Sequence, residues 1–253
     1  MSYELLNDFF DKIFVVTLYR AKDRQQKIKE ELAGLNYEFF YGVDKKDHTI
    51  EEVKEKGIYD EKLSMHLART GSKMTLGNIC CSLSHCKIYR SVIDTNWTKV
   101  LIFEDDVFAI KENVHAIHDI LSQLPSTWEL LYFGWSRNEK TNVGTWLKKK
   151  FYHIKHSLGI LKWNHKQINN INPKPFSKNL MRSGFHDCTH AYAITFSAAK
   201  KLLELQTPIV FNADDLLGRA ITTELIEAYV AVPKIFNQTS QYANDLQHSF
   251  VDE

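Results

Sequence analysis

Apolar positions along the chain fall into short runs separated by polar segments with helical spacing, and that alternation sets the expected architecture. Ile13–Leu18 reads IFVVTL, a run rich in β-branched residues that predicts a strand buried on both faces. After the polar loop Tyr19–Arg24, Ile28, Leu32 and Leu35 recur at helical intervals within Lys22–Leu35, with Gly34 near the end, and Glu38–Val43 is a second strand. Strand, helix and strand in that order are the usual opening of a doubly wound α/β domain.

Lys45–Ser72 is polar, with a weak helix around Thr49–Lys56. Asn78–Thr95 predicts a helix in which Ile79, Leu83, Cys86 and Ile93 share a face. Lys99–Phe103 is another buried strand and runs straight into Glu104-Asp105-Asp106. A helix over Glu112–Leu124 and a strand over Glu129–Phe133 follow. Gly134–Asp187 has mixed signals and reads as an insertion, placed at about 135–187. Thr189–Thr195 is a strand, Ser197–Leu205 a helix with Ser197 as its expected N-cap, and Pro208–Phe211 leads into a helix reaching about Ala228. Tyr229–Val232 is a last short strand, and Asn237–Glu253 reads as a polar tail. No repeat or linker divides the chain, so 1–253 is expected to be a single domain carrying one insertion.

Composition adds little until charge is mapped. The 253 residues are 44% hydrophobic and 25% charged, enough for a full core without metal or disulfide staples. A net charge of +1 gives no argument for a nucleic-acid partner. Between Thr141 and His186, however, there are nine Lys/Arg and no Asp/Glu, so the rest of the chain is acidic. That stretch interleaves lysines with Trp146, Phe151, Tyr152 and Trp163; it reads either as a flap that contacts an anionic membrane through residues 141–186 or as a plain basic loop. Cys80, Cys81, Cys86 and Cys188 have neither zinc-type spacing nor the density of a disulfide framework and are expected to be reduced thiols. The acidic start MSYELLNDFFDKIFVV is not a signal peptide, and the expected location is cytoplasmic, peripheral at most at the inner face of a membrane.

Three segments carry candidate chemistry. In open α/β sheets ligands bind beyond the carboxyl ends of the strands, so the acids after Phe103 sit where a divalent metal would bridge them to a diphosphate. Glu104 and Asp106, two apart, can face one side together; a solvated loop is the plainer alternative. Asp214 and Asp215 open a helix, as caps or as a general base for an acceptor hydroxyl. Arg20 and Arg24, after the first strand, suit phosphate, with Asp23 a cap for the next helix. Ser84-His85 and His190 are weaker candidates, since a lone histidine is more often packed than catalytic.

Taken in order, these pieces resemble glycosyltransferase family 25, which holds bacterial lipooligosaccharide galactosyltransferases and collagen hydroxylysine galactosyltransferases. The opening pattern N-L-x-R-x-x-D-R stands here as Thr17-Leu18-Tyr19-Arg20-Ala21-Lys22-Asp23-Arg24, with Thr17 replacing the asparagine. F-x-A-V-D-G stands as Phe40-Tyr41-Gly42-Val43-Asp44-Lys45, and L-T-x-G-E-x-G-C-x-L-S-H as Met74 to His85, with Asn78 and Cys80 departing from it. The strand-end acids Glu104-Asp105-Asp106, the T-H-A-Y segment from Thr189, the A-x-K-L-L segment from Ala199, and V-D-x-x-L as Ala213 to Leu217 follow, with Pro233 and Gln238 after them.

The resemblance implies a GT-A type, Rossmann-like nucleotide-sugar-binding fold, a UDP-sugar donor, and Mn²⁺ or another divalent metal. It also implies inverting transfer of a sugar, with galactose expected, onto a glycan, glycolipid or protein hydroxyl. Under it Glu104 and Asp106 would hold the metal. Asp105 would support them, Asp214 would be the base with Asp215 as substitute, and Arg20, Arg24, Ser84, His85 and His190 would serve the donor. Two other classes compete: a catalytically silent nucleotide-sugar or glycan-binding protein, and a metal-dependent phosphohydrolase, for which the sequence shows no second His/Asp cluster.

Overall fold

The computed structural model describes residues 3–68, 71–138 and 143–239. Strands in chain order are β1 (Lys12–Thr17), β2 (Glu38–Tyr41), β3 (Lys99–Glu104), β4 (Val107–Ala109), β5 (Leu130–Ser136), β6 (Lys174–Pro175), β7 (Leu180–Arg182), β8 (Asp187–Thr195), β9 (Ala228–Ala231) and β10 (Phe236–Gln238). Helices are α1 (Glu4–Phe9), α2 (Lys22–Glu31), α3 (Ile50–Glu55), α4 (Glu61–Leu67), α5 (Leu76–Asp94), α6 (Ile117–Ser122), α7 (Val143–Ser157), α8 (His165–Asn169), α9 (Phe196–Leu205) and α10 (Ala213–Thr222).

One eight-stranded sheet runs in the order β2-β1-β3-β8-β5-β9-β7-β6. Its first three strands are parallel, as the strand–helix–strand opening predicts. The α/β class is therefore as expected, but the sheet is mixed: β8 runs against both β3 and β5, and β7 against β9. A separate two-stranded ribbon, β4 with β10, follows the acids at the end of β3.

Side-chain alternation along the strands sorts the core into two layers. Phe14, Val100, Ile102, Leu130, Tyr132, Tyr192 and Ile194 face the layer that includes α5, α9 and α10. Ile13, Val15, Leu101, Phe103, Leu131, Phe133, Ala191 and Ala193 face the layer that includes α1, α2 and α6. Helix α5 is so heavily covered that its buried stripe is Ile79, Ser82, His85, Cys86, Tyr89 and Val92, while Leu83 and Ile93 are only half-buried. The face expected from aliphatic residues alone was therefore too narrow.

Several boundaries differ for identifiable reasons. Helix α5 starts at Leu76 because Thr75 caps it through Asn78 N–H. Thr195, not Ser197, caps α9, accepting from Ala198 N–H at 3.3 Å, while Ser197 donates to Glu129. Helix α10 ends at Thr222, short of Ala228: Thr222 and Thr223 hydroxyls bond back to Gly218 and Arg219 carbonyls, and Glu224 takes φ 59°. Asn237 and Gln238, expected to open the polar tail Asn237–Glu253, instead form a buried strand with Phe236, and residues 240–253 of that tail lie outside the described residues. The basic stretch contains α7 and α8, a satellite core of Leu161, Trp163, Ile168, Ile171 and Phe185, and then β6 and β7, which extend the main sheet rather than standing apart from it.

Candidate active site

The pleat of β3 decides where the acids go. Even-numbered β3 residues face α5, so Glu104 turns toward His85, and odd-numbered ones face α2, so Asp105 turns toward Arg24. The strand ends at Glu104; Asp105 and Asp106 form a turn into β4, and the Asp106 carbonyl accepts from Thr239 N–H at 3.0 Å.

Glu104 accepts a hydrogen bond from the Thr189 hydroxyl, and its carboxylate lies 3.5 Å from His85 Nε2. Burial opposes its ionisation, but His85 and Thr189 outweigh that and hold its carboxyl below the usual range. The other face of the imidazole is fixed in turn: His85 Nδ1 lies 2.7 Å from the Tyr192 hydroxyl, which lies 3.0 Å from that of Tyr89. Asp105 is the opposite case. Burial pushes its carboxyl up, only partly offset by the Thr17 hydroxyl at 2.6 Å and Arg24 Nη1 at 2.9 Å. Thr17, standing where the family pattern has asparagine, thus still supplies a hydrogen-bond donor to the acid.

Around these groups lies a cavity of about 180 Å³, lined by Arg24, Asp44, Lys45, Cys81, Glu104 and Asp106 among others. His85, Ser84 and Asp105 also reach its wall. Arg20 does not; it holds Asp44 there, with Nε 2.5 Å from the carboxylate. Ser84 is a staple: its hydroxyl accepts from Val43 N–H at 2.8 Å and donates to the Cys80 carbonyl at 2.7 Å. Gly42 allows that approach, because a Cβ there would lie 2.7 Å from Ser84 Oγ.

A second cavity of about 290 Å³ is lined by Arg137, Trp163, Asp187, Asp214, Asp215 and Arg219 among others. Asn212 occupies the N-cap position of α10, so Asp214 and Asp215 sit in its first turn. Asp214 accepts from Asp215 N–H at 2.8 Å and from Cys188 N–H at 3.4 Å. Burial first, then the charges of Asp187 and Glu104, push its carboxyl above the usual range despite those bonds. Asn212 Nδ2 donates to Asp215 at 3.5 Å. Neighbouring β8 residues tie the acids of the two cavities, Cys188 N–H bonding Asp214 and the Thr189 hydroxyl bonding Glu104. Cys81, on the wall of the first cavity, has its thiol pushed well up by burial, then by Glu104 and Asp214.

His190 lines neither cavity among the described residues. It is fully buried on β8, so close to Gly134 that a Cβ there would lie 2.2 Å from its Nε2. Burial lowers its pKa to about 4, against the pull of Glu104, so the ring is neutral near pH 7.

Residue types and repulsion both suit a divalent cation. Cys81, His85 and Glu104 offer ligand atoms within 4.8 Å of one another, but a thiol held protonated is a poor ligand. Carboxylate oxygens suit a hard cation, and Glu104 and Asp106 both line the first cavity. Burial raises Asp214 and Cys81 first, and the repulsion from nearby acids that adds to it is what a positive ion relieves.

Sequence reasoning missed Cys81, Asp187, Asp44 and Lys45. Asp187 carried a signal, as the first acid after the acid-free stretch from Thr141 to His186.

Comparison with known proteins defines the class. The sequence signature of glycosyltransferase family 25 (LPS biosynthesis protein) matches residues 10–217. The chain belongs to that family. Human procollagen galactosyltransferase 2 is 32% identical over 134 residues, 51% of this chain and 21% of that protein. A glycosyltransferase 25 family member of Drosophila pseudoobscura pseudoobscura is 35% identical over 137 residues, 50% of this chain and 21% of that protein. Procollagen galactosyltransferase 1-A of Xenopus laevis is 25% identical over 209 residues, 79% of this chain and 29% of that protein. Those alignments thus cover between 21% and 29% of the relatives' length. Among solved structures, a glycosyltransferase involved in glycosylation of the major capsid of PBCV-1 aligns over 95% of both chains, with a TM-score of 0.43 and 10% identity.

Proposed function

We propose that the chain is a GT-A type glycosyltransferase that moves a sugar, galactose by its relatives' names, from a UDP-sugar onto a glycan, glycolipid or protein hydroxyl. One observation carries the reading: Glu104, in a cavity with Asp106 and Arg24, and Asp214, in a second cavity, are bonded to the adjacent β8 residues Thr189 and Cys188. Donor and acceptor would occupy separate cavities and meet at that strand end.

In the first cavity Glu104 and Asp106 would hold a divalent cation such as Mn²⁺, which when bound offsets negative charge building on the leaving diphosphate. His85 and Thr189 keep Glu104 ionised and fix its direction. Arg24, braced by Asp105, and Lys45 add positive charge on the same wall. In the second cavity the acceptor oxygen attacks the anomeric carbon and forms the new glycosidic bond. The bond from that carbon to the diphosphate oxygen breaks, its electron pair leaves with UDP, and the hydroxyl proton passes to Asp214. Attack from the side opposite the diphosphate inverts the anomeric centre. A carboxyl whose proton affinity is raised by burial and by the charges of Asp187 and Glu104 suits that role.

UDP release in the presence of Mn²⁺, a panel of UDP-sugars and acceptors tests the reading. Release should need both metal and acceptor and fall about 100- to 1,000-fold in Asp106→Asn, on the order of what removing a charge-stabilising group costs. Turnover that ignores metal removal would sink the metal role, and nucleotide-sugar binding without turnover would return the chain to the class of silent binding proteins.

A further inference from the structure

Helix α7 has two unlike sides. Its inner side is tied down: Tyr152 packs edge-on against Trp163 at 6.1 Å, His153 Nδ1 lies 2.8 Å from His165 Nδ1, and Lys149 donates to the Asn169 carbonyl at 3.0 Å. On the outer side Leu147, Phe151, Ile154 and Leu158 follow one another at intervals of four, three and four residues, which lines them along a single stripe. With Trp146 and Ile160 they are 53–67% exposed. Among the described residues, six of the thirteen exposed large hydrophobic residues fall on this segment, so the patch is a concentrated feature rather than surface scatter.

Cations frame the stripe. Lys150 Nζ stands 3.9 Å over the Trp146 ring and Lys155 Nζ 4.6 Å over Phe151, so each ammonium caps an aromatic face of the patch. Lys148 Nζ reaches Asn138 at 3.4 Å. From Thr141 to His186 no acid interrupts these charges. A convex helix offers no groove for a peptide. Apolar side chains in the centre and ammonium groups at the rim match a surface that is anionic outside and apolar just beneath.

We propose that α7 lies in the plane of an anionic lipid bilayer, with Leu147, Phe151, Ile154 and Leu158 sunk below the headgroups and Lys148, Lys150 and Lys155 among the phosphates. The fifteen-residue helix provides a contact about 22 Å long. Its position also connects to the site. Trp163, which packs on Tyr152 of α7, lines the cavity that holds Asp214. On the function proposed above, an acceptor anchored in the same bilayer would reach that cavity from the membrane side; the docking itself does not depend on that function.

Co-sedimentation of the full chain with vesicles tests this, comparing phosphatidylcholine alone with phosphatidylcholine containing phosphatidylglycerol. The chain should bind the phosphatidylglycerol vesicles. The triple variant Lys148→Gln, Lys150→Gln, Lys155→Gln should bind them about 100-fold more weakly, from about 1 kcal/mol per basic residue near the surface. Phe151→Ser with Ile154→Ser should also lose binding. The variants alter side chains that are exposed or, at Lys155, half-buried; they should keep the circular dichroism of the parent and release UDP from a soluble acceptor at the parent rate. Vesicle failure and enzyme failure therefore separate. The proposal is overturned if the parent ignores phosphatidylglycerol vesicles or if the variants bind as tightly as it does. It is equally overturned if light scattering shows a dimer that Ile154→Ser dissolves and vesicles do not displace, since the stripe would then be covered by a second copy.

Discussion

Glu104 and Asp214 are carboxylates bonded to adjacent residues of β8, and their surroundings drive them in opposite directions. Both are withdrawn from water, which favours the neutral form of each. Glu104 has His85 and Thr189 against it and stays ionised, whereas Asp214 faces Asp187 and Glu104 and is pushed up. Residue type assigns neither role. A carboxylate held charged suits a cation, and one with raised proton affinity suits an acceptor's proton, so the difference in neighbours is the division of labour.

The largest effect that would break this comparison is on turnover. Asp214→Asn should lower the transfer rate about 100- to 10,000-fold, the usual worth of a general base, while UDP affinity measured by calorimetry stays near that of the parent. The variant should be no less stable at neutral pH. The folded pKa lies above the unfolded one, so in between the folded chain retains a proton the unfolded chain has lost, and stability falls as pH rises through that window. Asparagine removes that penalty. Full activity in this variant would place the base elsewhere.

Next comes the acid dependence of stability set by His190, which lies beneath the comparison rather than in it. In metal-free protein the unfolded chain takes up a proton near the ordinary histidine value of 6.5 that the folded chain refuses until about 4. Stability should therefore fall as pH drops through that window, by roughly 3 kcal/mol at about 1.4 kcal/mol per unit. Urea unfolding across the window reads the slope, and His190→Gln should flatten it.

Glu104→Gln gives the sign opposite to Asp214→Asn. Its lowered carboxyl contributes stability that is present above the unfolded pKa and lost as pH falls through the folded one. The variant should be destabilised at neutral pH by about 1–3 kcal/mol, the range for a lost hydrogen bond to a charged group, with a lower melting temperature. Equal melting temperatures for the two variants would mean that the environments do not differ as described.

The smallest effect is a tuning one. Asp187→Asn removes the charge that, after burial, most raises Asp214. The acidic limb of the pH–rate profile should move to lower pH with little change in stability, because the partner lost, Arg137, is 72% exposed. An unmoved limb would detach Asp187 from the base.

Much of this was legible in the chain. IFVVTL and VLIF announce buried strands by composition alone, and acids directly after a buried strand mark a site whatever the sheet around them. The blocks from Thr17 to Leu217 point to the family because several weak patterns occur in one order. Helix ends were harder to read, since Thr195 and Ser197 are both able caps and backbone geometry chose between them.

The sequence by itself determined the strands β1, β2, β3, β5, β8 and β9, that acids end β3 and open α10, and that one long segment carries only positive charge, because these follow from local spacing and residue type. Only the tertiary structure decided that Glu104 meets a histidine nineteen positions earlier while Asp105 meets Arg24, that Asp187 faces Asp214, and that the lysines of α7 border a bare apolar stripe. Proton affinity, pairing and exposure depend on neighbours brought together by folding, and distance along the chain does not encode distance in space.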